Sequence, residues 1–186
     1  MLTPEKMLPE WLRVAESRGL ESTVNTDDDG TLRALSMKGR VGAAGVTLLY
    51  GPAVQREDRV SVGFDGAAEG VFALEARGAL KGAREGRLSV RQDPTPTFRK
   101  VASWVGRGDP EVGDKEFDDV FLIEAEASLA RPLLVPDARD ALKELARMGV
   151  PLVLLVEGDL ATLTCQKLEK GDALDAAIRA VAAVCS

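Results

Sequence analysis

Acidic side chains are the groups whose density in this chain could support chemistry. Between Gly108 and Glu126 the chain carries eight carboxylates and one base, Lys115, which gives a local charge of −7. Carboxylate oxygens are the ligands that Ca²⁺ and Mg²⁺ prefer. This loop is therefore a candidate metal site, and its candidate ligands are Asp114, Asp118 and Asp119. The spacing matches no calcium-loop pattern, so the alternative interpretation is a set of solvated acids, some of which cap a turn or a helix.

The absence of histidine limits the reactions that the chain could catalyse. The 186 residues include no His and two Cys. Ser-His-Asp and Cys-His catalysis are excluded, as is the usual general base near neutral pH. Gly39, Gly42 and Gly45 are spaced like a phosphate loop, but no helix pattern follows them, so the nucleotide-binding motifs fail. We therefore expect no cofactor, and the sequence favours a protein without catalytic activity.

Basic side chains form a second cluster that could bind a partner. Residues 77–107 contain eight bases and two acids, a charge of +6. Such asymmetry can mark a docking surface for an anionic partner, and an exposed Trp would add a binding hot spot. The alternative is two solvated patches that neutralise each other in the fold. The candidate surface residues are Arg77, Lys81, Arg84, Arg87 and Trp104.

Composition and charge narrow the class of partner. The chain is 45% apolar and 29% charged, as in ordinary globular proteins. A net charge of −6 and an aromatic content of 4% argue against nucleic-acid and membrane-surface binding. No apolar run approaches the ~18 residues of a membrane helix, the N-terminus lacks a signal-peptide pattern, and two cysteines make no disulfide framework. We expect a cytoplasmic protein that binds another protein, in an oligomeric state that the sequence leaves open.

The periodicity of the first half predicts a helix followed by an antiparallel meander. Leu8, Trp11, Leu12 and Ala15 share one helical face. Asn25–Leu32 half-resembles a calcium loop, but its twelfth position is a serine, and Asp29-Gly30 between strand-like runs predicts a two-residue hairpin turn. Alternation of apolar and polar residues predicts five strands: Leu32–Val41, Val46–Tyr50, Arg59–Phe64, Val71–Arg77 and Arg87–Arg91.

The second half predicts a mixture of helices and strands. A helix follows Thr97, and the acidic loop leads into a strand at Val120–Ala125. Residues 131–137 turn the chain, Asp137 caps a helix, and Gly158-Asp159 turns a buried strand at Leu152–Val156 into Leu160–Gln166. Asp172 and Asp175 have capping-box spacing at the start of a last helix. The predicted class is a single α+β domain, in which an N-terminal helix and β-meander precede a helix–strand–helix–hairpin–helix half, with a possible seam near 92–97 between residues 1–92 and 97–186.

The acidic loop also carries a recognisable pattern. The pattern begins with Gly108-Asp109 and continues, after a gap, with Phe117-Asp118. Two residues later come Phe121 and a strand. This order resembles a signature of uncharacterised bacterial proteins, in which a helix, a strand hairpin and a last helix follow. The resemblance covers residues 106–185. It implies a fold for this half and no activity, with the two phenylalanines in the core and Asp118 at a turn.

Three functions are compatible with these observations. The first is a non-catalytic interaction module for a protein partner, favoured by the missing histidine and by the segregated charge. The second is a carboxylate- or metal-dependent hydrolase that uses the acids of residues 109–119. The third is an anion or small-ligand binding protein that uses the basic turns at Lys81–Arg87.

Overall fold

A computed structural model describes residues 4–52, 72–92, 111–125 and 127–186. The elements, in chain order, are α1 (Pro4–Ser17), β1 (Glu21–Thr26), β2 (Leu32–Val41), β3 (Ala44–Pro52), β4 (Phe72–Gln92), α2 (Lys115–Val120), β5 (Phe121–Glu124), α3 (Ala127–Leu133), α4 (Pro136–Arg147), β6 (Leu152–Gln166) and α5 (Gly171–Val184). The predicted α+β class is confirmed. No helix in these ranges is long and apolar enough to cross a membrane.

All six described strands belong to one antiparallel sheet. β1 to β5 are neighbours in chain order, and β6 pairs with β4. At its first end β4 lies between β3 and β6, and at its last end it lies between β5 and β6. Strands from both sides of the predicted seam therefore share hydrogen bonds in a single sheet.

β6 folds back on itself. Fifteen extended residues would span ~50 Å, yet the N–H of Gln166 donates to the carbonyl of Pro151 at 2.9 Å. The reversal falls at Gly158, whose φ of +61° suits a tight hairpin turn. The predicted turn at Gly158-Asp159 is thus confirmed.

β4 runs along both arms of this hairpin and passes around its tip. Ala73–Ala79 pair with the second arm, and the register then jumps so that Arg84 lies opposite Gly158. Two glycines in this passage, Gly82 and Gly86, both have a φ of +96°. The strands predicted at 71–77 and 87–91 are therefore the two ends of one bent strand.

The core lies between one face of the sheet and the helices. Trp11 of α1 is fully buried and packs edge-to-face on Tyr50 of β3, with ring centroids 4.7 Å apart. α5 buries one apolar face against the sheet, which includes Leu174, Ala177, Ile178, Val181 and Val184. Phe117 and Phe121, also buried, stack at 4.5 Å and anchor α2 and β5.

Five local predictions were wrong. The N–H of Asp27 donates to the carbonyl of Thr31, so the connection between β1 and β2 is longer than the two-residue turn predicted at Asp29-Gly30. The acidic loop ends in a helix, α2, and the turn predicted at 131–137 begins inside another, α3. Pro136 stands at the start of α4, so Asp137 lies in its first turn and does not cap it. α5 begins at Gly171, so Asp172 lies in its first turn and the N-cap is Lys170, whose side chain makes no capping hydrogen bond. The Asp175 carboxylate is bound by two arginines instead. The strand predicted at 59–64 and the helix predicted after Thr97 lie outside the described residues.

Candidate functional site

The acidic loop is built into the start of α2. One carboxylate oxygen of Asp114 accepts a hydrogen bond from the N–H of Phe117 at 3.1 Å and thereby caps the helix. Asp118 accepts from the N–H groups of Val112 and Gly113 at 3.1 and 3.2 Å. Both carboxylates therefore shape the turn that leads into α2.

Asp114 also belongs to a charge cluster that joins α2 to α4. Its second oxygen accepts from the ammonium of Lys143 at 2.9 Å and lies 3.4 Å from the guanidinium of Arg139. Lys143, which is only 8% exposed, also pairs with Asp140 at 3.0 Å. Glu116 pairs with Arg147. We call these residues the Lys143 cluster: Asp114, Glu116, Arg139, Asp140, Lys143 and Arg147.

The contacts in the Lys143 cluster shift the pKa values of its members. The hydrogen bond from Lys143 lowers the pKa of Asp114, outweighing the opposing effect of burial. The same bond raises the pKa of Lys143. Both groups are therefore held in their charged forms at neutral pH, and neither is poised to exchange a proton in catalysis.

The three candidate metal ligands do not converge on one point at which a metal ion could bind. Asp114 and Asp118 lie in one turn but are bound by different donors, and Asp119 is exposed. Across the part of the chain that the structure describes, no three acids or cysteines are grouped so that they could hold a metal ion. The metal-dependent hydrolase remains a prediction that this arrangement does not favour.

A second charge cluster joins α1, α4 and α5. Asp175 accepts from Arg18 and Arg179, at 2.6 and 2.9 Å, and Arg179 also pairs with Glu144. Burial alone would raise the pKa of Asp175, but hydrogen bonds from the two arginines outweigh burial and lower it. These charges connect the end of α1 to α4 and α5.

The candidate basic residues do not converge on one point. Arg77 pairs with Glu75 at 2.8 Å and Arg87 with Glu157 at 3.1 Å, which neutralises both. The Lys81 ammonium donates to the carbonyl of Ser186 at 3.0 Å. Arg84 is exposed beside the hairpin tip. Trp104 lies outside the described residues.

Sequence reasoning did not identify one fully exposed strand among the described residues, which is β1. All six of its residues are exposed, and none of the described strands pairs with the edge that faces away from β2. On the face of the sheet that carries the helices, Val24 of β1 lies next to Leu35 of β2, which lies next to Tyr50 of β3 under α1. Val24 lies beyond this cover and is 39% exposed. Three β-branched residues before the Asp-Gly turn were the available signal for this strand.

Comparisons with known proteins give a fold and no family. No family model and no curated protein match the chain. Among solved structures, it is similar to the crystal structure of the mycobacterial trehalose monomycolate transport factor A, TtfA. The two chains are 11% identical, the match covers 94% of this chain and 90% of that one, and the TM-score is 0.50. At this identity the likeness shows a shared fold alone.

Proposed function

We propose that this chain is a non-catalytic protein-interaction module that binds an extended segment of a partner at the edge of β1. The observation that carries the proposal is the exposure of all six β1 residues beside an edge that no described strand occupies. An open edge presents a row of backbone donors and acceptors, to which an extended peptide can add as a further strand.

The side chains of β1 favour strand addition. Its sequence contains no proline and no lysine, two residues that proteins commonly use to block an edge. Glu21 is its one charged residue, and it lies opposite Lys38 in β2. The exposed methyl groups of Val24 give an incoming side chain an apolar contact.

The chemistry of the remaining charged groups supports a non-catalytic role. The chain has no histidine, and Asp114, Lys143 and Asp175 are engaged in pairs that connect helices. Strongly shifted side chains normally suggest catalysis, but the same shifts arise in structural ion pairs. Here each shifted carboxylate faces cations of its own fold.

The proposal is tested by partner capture with an edge variant and a matched control. Val24→Lys places a charge at the edge, whereas Leu49→Lys places the same charge on β3, at a position of similar exposure (36%). We expect proteins captured by the wild type to be retained by Leu49→Lys and lost with Val24→Lys. Equal capture by the two variants, with unchanged melting temperatures, would refute a binding site at β1.

A further inference from the structure

We propose that a second copy of this chain can occupy the β1 edge, forming a two-fold dimer whose sheet continues from one protomer into the other. The inference rests on the open edge used in the proposed function. Two identical strands pair antiparallel about a two-fold axis perpendicular to the sheet, and residues that face each other must lie on the same face. Centring the pair on Val24 satisfies both conditions.

This register brings compatible side chains together. Val24 meets Val24 of the second copy, so the exposed apolar side chain of the edge is paired with itself. Thr23 faces Asn25, and Ser22 faces Thr26. None of these pairs places like charges opposite each other.

The ends of β1 place acids opposite each other in the same register. Glu21 of one copy lies opposite Asp27 of the other, and Asp27 is paired with Arg33 at 2.7 Å in its own chain. This cation, whose side chain is 65% exposed, offsets part of the repulsion between the two acids. The repulsion that remains, between chains of net charge −6, is screened by salt.

The expected association is weak and reversible. Stable interfaces typically bury about 1,200–2,000 Å² of surface in total. An edge of six residues offers less contact than that. The dimer would occlude the edge that we propose for a partner, so self-association and partner binding would compete. Protein concentration would then control how much of the edge is available.

Sedimentation equilibrium over a roughly hundredfold range of concentration tests the inference. We expect the average mass of the wild type and of Leu49→Lys to rise from 19.8 kDa towards twice that value. Val24→Lys and Val24→Glu should each remain monomeric, because two like charges would meet at the axis. Their mixture should dimerise again, since the register pairs position 24 with itself.

Two results would overturn the inference. One is a wild type that stays monomeric throughout the range. The other is a mixture of the two charge variants that does not dimerise while the wild type does. If the wild type is monomeric but partner capture still depends on Val24, the edge binds other proteins and only self-association is wrong. If capture is also independent of Val24, the proposed function fails with it.

Discussion

Lys143 is a buried charged side chain whose charge is compensated by its partners. Its ammonium is 8% exposed, but it donates to Asp114 at 2.9 Å and pairs with Asp140 at 3.0 Å. Burying an unpaired ammonium would be costly, whereas a paired one keeps its charge. The residue joins a helix of the acidic segment to α4, so its role is to hold two elements together.

Removing this ammonium should destabilise the protein measurably. In Lys143→Met, the Asp114 carboxylate loses its closest cation while remaining only 20% exposed. We expect the free energy of unfolding to fall by about 1–3 kcal/mol, measured by urea denaturation. Arg84→Met removes an exposed cation and should change stability by less than about 0.5 kcal/mol. Equal effects of the two substitutions would mean that the pair contributes nothing specific.

The two cysteines should be inert in the folded protein. Burial raises the pKa of Cys165 to about 12 and that of Cys185 to about 11. At pH 8 about one thiol in a thousand or fewer would be ionised, and the thiolate is the reactive form. We expect Ellman's reagent to detect no rapidly reacting thiol in the native protein and two in guanidinium chloride. Rapid labelling of one native thiol would show that its surroundings open more readily than their burial suggests.

At the scale of elements, the packing of α5 on the sheet depends on a glycine. A Cβ added at Gly78 of β4 would lie 2.6 Å from the sulfur of Cys185 and 2.8 Å from a methyl carbon of Val181. Real Cβ atoms do not approach that closely, so α5 or β4 would have to shift. Gly78 therefore sets the distance between the last helix and the sheet.

Gly78→Ala should therefore destabilise the fold, by about 1–3 kcal/mol as expected for overpacking. Gly45→Ala on the neighbouring strand β3 is the control, since a Cβ there meets nothing within 4 Å. Alanine in a strand also loses less conformational entropy on folding, so this variant should match or slightly exceed the wild type. Thermal denaturation of both variants provides the comparison, and an unaffected Gly78→Ala would mean that α5 shifts without cost.

Elements with strong periodicity could be predicted from the sequence. α1 was predicted from its apolar face, α4 and α5 as the helices near Asp137 and Asp172, and β2 and β3 from their alternation. α2 and α3 were missed because they span six and seven residues and contain acids or a proline. Short helices depend on caps and tertiary contacts more than on propensity.

The candidate site was less predictable because its partners are distant in sequence. The sequence allowed an acid of the loop to cap a helix, and Asp114 does so. It could not indicate that Asp114 also binds Lys143, because the two residues are 29 positions apart. β1 was not recognised as an edge because its polar residues show no alternation, so pairing with β2 defines the strand. Strand order decides which edges are open, and local patterns carry no information on it.

At the scale of the molecule, charges that are segregated in sequence are mixed in the fold. The acidic segment finds its cations mainly on α4, and Arg91–Glu124, at 2.8 Å, is a described pair that joins the basic segment to the acidic one. The basic passage of β4 meets an acid of the β6 hairpin, as in Arg87–Glu157. The interpretation that the two segments neutralise each other thus holds in part.

The shifted pKa values of five groups lead to a prediction for stability against pH. Asp114 and Asp175 have folded pKa values below their ordinary 3.8, so their contributions are present above about pH 4 and are lost as the pH falls towards the folded values. The pKa values of Cys165 and Cys185 are raised above 9.0, and that of Lys143 above 10.5. Their contributions are present below those values and are lost at higher pH.

Because the chain has no histidine, it has no side chain whose ordinary pKa lies near neutrality. The free energy of unfolding should therefore be nearly constant from about pH 5 to about pH 8, and fall on both sides by up to about 1.4 kcal/mol per pH unit for each shifted group. Urea denaturation across this range measures the profile. Asp114→Asn should flatten the acid limb and Cys165→Ala the alkaline limb. A change of more than about 1 kcal/mol between pH 6 and pH 8 would require a group that neither the sequence nor the described contacts provide.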